Sequence, residues 1–389
     1  MATKPQVREL GAEVFLIDTA MSGFDGITAA YLIRGERPCL VETGTATSAP
    51  VVRAALGELG VGAEDLATIV VTHIHLDHAG GVGDLAAAFP GARVVVQDSG
   101  ARHLADPSRL MASARRVFGT QMDELFGELL PTGAERIDAI GAVGTVDLGG
   151  GRWLEAHHTP GHARHHLGLV DSVTGDLYVG DAAGLYIPPD DADSLTGIGA
   201  GGESGAMLPG TPPPDFDLDL AVASLRRMGD LGATRLLFSH YGPITRVGES
   251  LERAAEEMRL WVDLVRTERR RQAEGAGSAT DGSVRDGAGG LDTGGVSGGG
   301  GAEGPGDARG AGGAGGPGGG GVSGAAVAGA GTAFDVDHAV AMVREKTRER
   351  YADLLTRPEV AAKFEALSSS AANIVGIARW LDTVDAARD

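Results

Sequence analysis

The chain has 389 residues, with 53 Asp and Glu against 33 Lys and Arg and a formal charge of −20. That length allows two or three domains, and so acidic a surface field repels phosphate backbones, which argues against nucleic acid as a partner. A single cysteine, Cys39, excludes an internal disulfide, and no apolar run approaches the roughly 20 residues that cross a bilayer, so no membrane partner is expected.

In chain order, Met1–Gln6 lacks the charged-then-apolar layout of a signal peptide, and the expectation is a cytoplasmic protein. The spacing predicts strands over Val14–Thr19, Ile27–Ile33 and Pro38–Glu42, with Gly35 and Gly44 as turn residues. Pro50–Leu59 predicts a helix whose stripe is Val51, Val52, Ala55 and Leu56. The β-branched run Ala67–Val71 predicts a buried strand, and it opens directly onto Thr72-His73-Ile74-His75-Leu76-Asp77-His78-Ala79-Gly80-Gly81. Side chains two apart on a strand share a face, so His73 and His75 can converge on one ion. The turn that follows lets Asp77 and His78 reach a second. Imidazole and carboxylate together suit zinc and similar divalent metals.

A helix near Gly83–Phe89 and a strand at Arg93–Gln97 continue an alternation that predicts an α/β domain. Residues 99–130 break the rhythm with a helical stretch carrying Leu104, Leu110, Met111, Val117, Phe118, Met122, Leu125 and Phe126. Two readings stay open there: a lid over an apolar pocket, or helices packed on the core. Further candidate ligands follow at strand ends, where active-site residues usually project. His162 follows Trp153–Ala156, Asp181 ends the run from Leu177, and His240 follows a strand at Thr234–Ser239. Between them, 187–216 is rich in Pro and Gly and reads as a long loop, and Asp217–Leu231 as a helix. His103, His157 and His338 read as surface histidines. His166, four residues after His162, is a candidate to support it, against a core or solvated role.

The order H-x-H-x-D-H, then His, Asp and His, resembles the metallo-β-lactamase superfamily over roughly residues 10–247, with all seven positions matched. The resemblance implies a four-layer αβ/βα sandwich with metals at one edge between two sheets. It implies that His73, His75 and His162 hold one ion and Asp77, His78 and His240 the other, with Asp181 bridging. Zinc is the metal expected of such a pair, and iron or manganese fits the same ligands. One departure stands out. The usual Leu-Val-Asp-Thr-Gly turn reads Leu40-Val41-Glu42-Thr43-Gly44, so the support Glu42 lends the histidine loop should be rearranged.

The implied chemistry is that of a dinuclear hydrolase, in which a metal-bridging hydroxide attacks an ester-type carbonyl and Asp77 binds a metal and orients the nucleophile. The site pattern is closer to the glyoxalase II and lactonase branches than to the zinc β-lactamases, because Asp181 is present. A small-molecule thioester, ester or lactone with an apolar acyl part is therefore expected. Tyr186 and Tyr241, each near a ligand in sequence, are candidate proton or hydrogen-bond donors, with plain packing as the alternative. Two other readings are a phosphodiesterase on a small substrate and an oxidoreductase like the mononuclear iron persulfide dioxygenases.

Past His240, a helix is predicted from Glu249 to Glu274, striped by Leu251, Ala254, Ala255, Met258, Val262 and Val265. Residues 275–332 are dominated by glycine and cannot bury enough apolar surface to order themselves, so a disordered insertion spanning ~40 Å is expected. Ala339–Leu355, Glu359–Leu367 and Ala371–Leu381 are predicted helices. The expected organisation is a catalytic domain over 1–247, a helix over 248–274 packing on it, the Gly-rich insertion 275–332, and a helical segment 333–389 packing beside that helix.

Overall fold

The computed structural model describes residues 5–193, 195–200, 202, 205–281, 334–367 and 369–388. Short, mostly apolar runs of the N-terminal half pair into one seven-stranded sheet. Its strands are β1 (Val7–Gly11), β2 (Val14–Asp18), β3 (Ala29–Ile33), β4 (Cys39–Val41), β5 (Thr68–Val70), β6 (Arg93–Gln97) and β7 (Ile137–Ile140). They lie in sequence order, antiparallel from β1 to β4 and parallel from β4 to β7. Every residue of β2, β3, β4 and β5 is buried, because both faces of the sheet are covered, and such strands read as unbroken apolar runs.

The second sheet holds β8 (Val143–Asp147), β9 (Trp153–His158), β10 (Leu167–Asp171) and β11 (Asp176–Gly180). A two-stranded ribbon, β12 (Leu185–Ile187) with β13 (Ala206–Leu208), precedes its last members, β14 (Arg235–Phe238) and β15 (Gly242–Ile244). The order is β15-β14-β11-β10-β9-β8. Leu16, Tyr31, Val41, Val70 and Val95 of the first sheet meet Leu154, Leu167, Leu169, Tyr178 and Leu237 of the second in one inner core. Cys39 lies in that layer, and burial pushes its thiol pKa up.

Helices cover the outer faces. α1 (Ala49–Glu58), the short α2 (Leu76–Ala79), α3 (Val82–Ala88), α4 (Asp98–Ala105), α5 (Ser108–Phe118) and α6 (Met122–Leu125) come first. α7 (Leu218–Asp230), α8 (Val247–Asp281), α9 (Val336–Thr347), α10 (Ala352–Leu355), α11 (Pro358–Leu367) and α12 (Ser370–Ala386) follow. The outcome is the αβ/βα sandwich with a C-terminal helical region.

The structure also corrects the sequence reading. Leu104, Met111, Met122 and Phe126 of the 99–130 stretch are buried in the outer core, so these side chains pack on the sandwich. The expected loop 187–216 contains β13, paired through Leu185↔Leu208 and Ile187↔Ala206. The helix expected over 339–355 breaks over residues 348–351 into α9 and α10. Most of the Gly-rich stretch lies outside the described residues, while 275–281 continue α8. Among the described residues no helix is long and apolar enough to cross a membrane.

The C-terminal helices join α8 through apolar and polar contacts. Met258, Val262 and Val265 of α8 share a core with Val336, Ala339, Val343, Ile374, Ile377 and Leu381. Within that core Glu257 is buried and pairs with Arg350. The Tyr351 hydroxyl donates to Glu257 Oε2 at 2.7 Å and accepts from Trp261 Nε1 at 3.0 Å. Removing that hydroxyl strands a buried donor and leaves Glu257 with one partner fewer. Tyr351→Phe should therefore cost about 1–3 kcal/mol of stability, read as a lower denaturation midpoint. A change inside a few tenths would show that the network does not hold the C-terminal helices.

Candidate metal centre

Strand ends supply the site. β5 stops at Val70, so His73 and His75 converge from the extended segment beyond the strand rather than from the strand itself. α2 begins immediately after His75 and carries Asp77 and His78 round on its turn. Asp181 follows β11 and His240 lies just beyond β14. His162 sits in the bend between β9 and β10. All seven predicted positions come together, forming the groups His73–His75–His162, His73–His78–Asp181 and Asp77–His78–His240, each with its ligand atoms within 4.8 Å of one another.

The hydrogen bonds define which nitrogens are free. Thr72 Oγ1 donates to Glu42 Oε1 and lies 3.0 Å from His73 Nδ1, which assigns that proton to His73 Nδ1. The Gly210 carbonyl, 3.0 Å from His162 Nδ1, fixes the same tautomer there. Both Nε2 atoms are then bare, and each lies 3.0 Å from His75 Nδ1. A proton on His75 Nδ1 satisfies one of them; a cation satisfies all three. The second group shows the same need. His78 Nε2 and Asp181 Oδ1 are buried without a hydrogen-bond partner, 3.4 Å apart. Asp181 reaches both groups, with Oδ2 3.6 Å from His162 Nε2 and Oδ1 3.6 Å from His240 Nε2. His240 Nδ1 donates to the Ile27 carbonyl at 2.9 Å, while its Nε2 faces Asp77 Oδ2 at 3.2 Å. This donor set, imidazole nitrogen with carboxylate oxygen, fits divalent ions.

Electrostatics separate the two halves. Burial, reinforced by neighbouring imidazoles, holds His73 well below its ordinary pKa and pushes His75 down to about 3. Burial likewise lowers His162, against the pull of Asp181. Burial also disfavours charge on His78 and His240, yet the Asp181 and Asp77 carboxylates overcome it and raise both. The same two histidines hold Asp77 and Asp181 below the usual carboxylate range despite their burial.

The supporting residues are partly those expected. Glu42, buried and in the left-handed region at φ 67°, ties three strand ends together. Its Oε1 accepts from Thr72 Oγ1 and, at 3.1 Å, from Ser239 Oγ, and it faces His78 Nδ1 at 3.4 Å without hydrogen-bond alignment. His166 is buried and supports Asp181 rather than His162: its Nε2 accepts the Asp181 N–H at 3.1 Å, and its Nδ1 donates to Thr159 Oγ1 at 2.8 Å. A Cβ at Gly180 would lie 2.5 Å from that same Nε2, so the approach requires glycine.

The tyrosines are engaged elsewhere. The Tyr186 hydroxyl donates to the Gly197 carbonyl and accepts from Gly205 N–H at 3.3 Å, and Tyr241 donates to Asp18 Oδ2 at 3.0 Å. Their backbones pair, with the Tyr241 N–H donating to the Tyr186 carbonyl at 2.9 Å. His165, which follows His162 too closely to be dismissed but which no family motif requires, accepts the Ile74 N–H on its Nδ1 at 3.3 Å between the two histidines of the loop. The sequence reading missed Thr72 and Thr159, which meet His73 and His166. A small hydroxyl residue beside a strand-end ligand is the signal that would have found them.

His166→Leu removes the acceptor that the Asp181 N–H has among the described residues. A buried unpaired N–H costs about 1–3 kcal/mol, to be measured as a fall in unfolding free energy. Unchanged stability would mean that another group takes that hydrogen bond.

The comparisons with known proteins follow the same lines. The family profile described as the metallo-β-lactamase superfamily matches residues 23–240. The metallo-β-lactamase fold-containing protein ST1585 of Sulfurisphaera tokodaii is 27% identical over 249 residues, 62% of this chain and 84% of that protein. The crystal structure of ST1585, from Sulfolobus tokodaii, is similar with a TM-score of 0.52 and 25% identity, covering 64% of this chain and 86% of that one. A metallo-β-lactamase family protein from Thermus thermophilus, TTHA1429, is 23% identical with a TM-score of 0.49, over 66% and 83% of the two chains. The profile match spans more than half of the sequence and contains the whole ligand series from His73 to His240, and the chain belongs to the metallo-β-lactamase superfamily.

Proposed function

We propose that this chain is a dinuclear metal-dependent hydrolase acting on an ester-type carbonyl in a thioester, ester or lactone. The observation that carries the reading is Asp181, whose two oxygens face His162 on one side and His78 and His240 on the other. His73 Nε2, His75 Nδ1 and His162 Nε2 would hold one ion. Asp77, His78 and His240 would hold the second, with Asp181 shared. Zinc suits this donor set, and iron or manganese fits it as well. Bound divalent ions supply Lewis acidity and make a neighbouring water acidic enough to ionise near neutral pH.

The chain's own residues do the rest. Asp77 is the most open of the acidic ligands, its side chain 19% exposed against 7% for Asp181, so its carboxylate is the one open to orient an incoming water. Glu42, Thr72 and the Ile27 and Gly210 carbonyls hold the ring planes, so little reorganisation accompanies the reaction. The substrate proposed is a small molecule with an apolar acyl part. The charge of −20 disfavours polyanionic phosphodiesters.

Elemental analysis of the purified protein, together with hydrolysis of a panel of thioesters, lactones and phosphodiesters, tests this. Two divalent ions per chain are expected, with acyl hydrolysis falling at least about 100-fold in Asp77→Ala. Asp181→Ala should retain at most one ion. One iron per chain without hydrolysis would overturn the proposal in favour of dioxygenase-like chemistry, and phosphodiester turnover alone would overturn its substrate class.

A further inference from the structure

The loop joining β13 to α7 passes between the metal cluster and α12. Its Gly210 carbonyl accepts the His162 Nδ1–H at 3.0 Å, and a Cβ at Gly210 would lie only 3.0 Å from that nitrogen. The next residue, Thr211, is fully buried. Its N–H donates to Asn373 Oδ1 at 2.6 Å, and its hydroxyl lies 3.2 Å from both Asn373 Oδ1 and the Asn373 carbonyl. One turn along α12, Gly376 abuts the same loop: a Cβ there would lie 2.0 Å from the Thr211 carbonyl oxygen. Asn373 and Gly376, three residues apart, form one docking face.

The Gly210 carbonyl and the Thr211 N–H belong to one planar peptide unit, so holding its N–H aims its C=O. We propose that Asn373 is a positioning residue for the metal centre: it sets the Gly210–Thr211 peptide, which in turn sets the tautomer and ring plane of His162. The chain of contacts runs Asn373 Oδ1 to Thr211 N–H, across the peptide, and from Gly210 C=O to His162 Nδ1–H. Hydrogen bonds in series polarise and strengthen one another. The metal site is thereby completed by a helix that lies beyond the Gly-rich stretch in sequence. The inference rests on the reading of His162 as a ligand.

The test uses the full-length chain with Asn373→Ala, Asn373→Asp and Gly376→Ala. Asp keeps the acceptor and sits in the first turn of α12, where a carboxylate is favoured. Zinc affinity is measured by chelator competition on folded protein, and the His162 tautomer by nitrogen-15 NMR of metal-free, histidine-labelled protein. In Asn373→Ala, zinc at the His162 site should bind about tenfold or more weakly, while Asn373→Asp stays close to wild type. The metal-free His162 should be wholly the Nδ1–H form in wild type and Asn373→Asp, and mixed in Asn373→Ala. A folded Asn373→Ala chain with unchanged affinity and tautomer would overturn the proposal, since a purely structural asparagine moves neither. Should that variant fail to fold, Gly376→Ala displaces the same loop and decides by the same two measurements. A wild-type chain that binds no zinc or other divalent ion would refute the metal reading instead, and the tautomer would still decide this one.

Discussion

Bare imidazole nitrogens held against one another in a buried space are the constraint on which the rest of this structure depends. His73 Nε2, His75 Nδ1 and His162 Nε2 point at a common centre, and the second nitrogens of His73 and His162 are already spent on Thr72 and Gly210. In water these groups would turn apart and hydrate. Here they cannot, because Thr72 and Gly210 anchor the His73 and His162 rings, and His75 Nδ1 is held between their Nε2 atoms in the low-dielectric interior. Two carboxylates, Asp77 and Asp181, enter the same space and hold His78 and His240 above their ordinary pKa. A cluster of this kind lowers in free energy when cations enter it, and the sandwich is the device that forces it to form.

The forcing comes from burial on both faces of the central strands. β2 to β5 and β11 expose nothing, so their register is fixed from both sides and their ends are delivered with little play. Glu42 then links the ends of β4, β5 and β14 through a single carboxylate. The chain keeps an acid at this turn, and the extra methylene of glutamate lets it reach Thr72 and Ser239 together while facing His78. A backbone in the left-handed region at Glu42 is the conformational cost of that placement.

A second polar cluster stabilises the C-terminal helices. Glu257, Arg350, Tyr351 and Trp261 satisfy one another inside an otherwise apolar interface between α8 and the segment that follows the Gly-rich stretch. Polar groups buried in this way demand their partners, so they specify one docking geometry where apolar contacts alone would tolerate several. The same docked segment brings Asn373 to Thr211, and so the distant end of the chain reaches the neighbourhood of His162.

The sequence by itself determined the ligand set, the doubly buried strands β2 to β6 and β14, and helices α1, α3, α7 and α8. In each, a local pattern carries the information: unbroken apolar runs for doubly covered strands, stripes for helices, and histidines where runs stop. β1, β7 and β8 went unread because strands with one exposed side alternate or carry polar residues, as the mostly exposed Val143–Asp147 shows. β13 and β15 went unread because three-residue strands have no period to detect. The tertiary structure alone decided that the Tyr186 and Tyr241 hydroxyls bond to Gly197 and Asp18, that His166 serves Asp181, and that Asn373 meets Thr211. Those contacts join residues brought together by the packing of sheets and helices, and no spacing along the chain encodes which buried donor will find which acceptor.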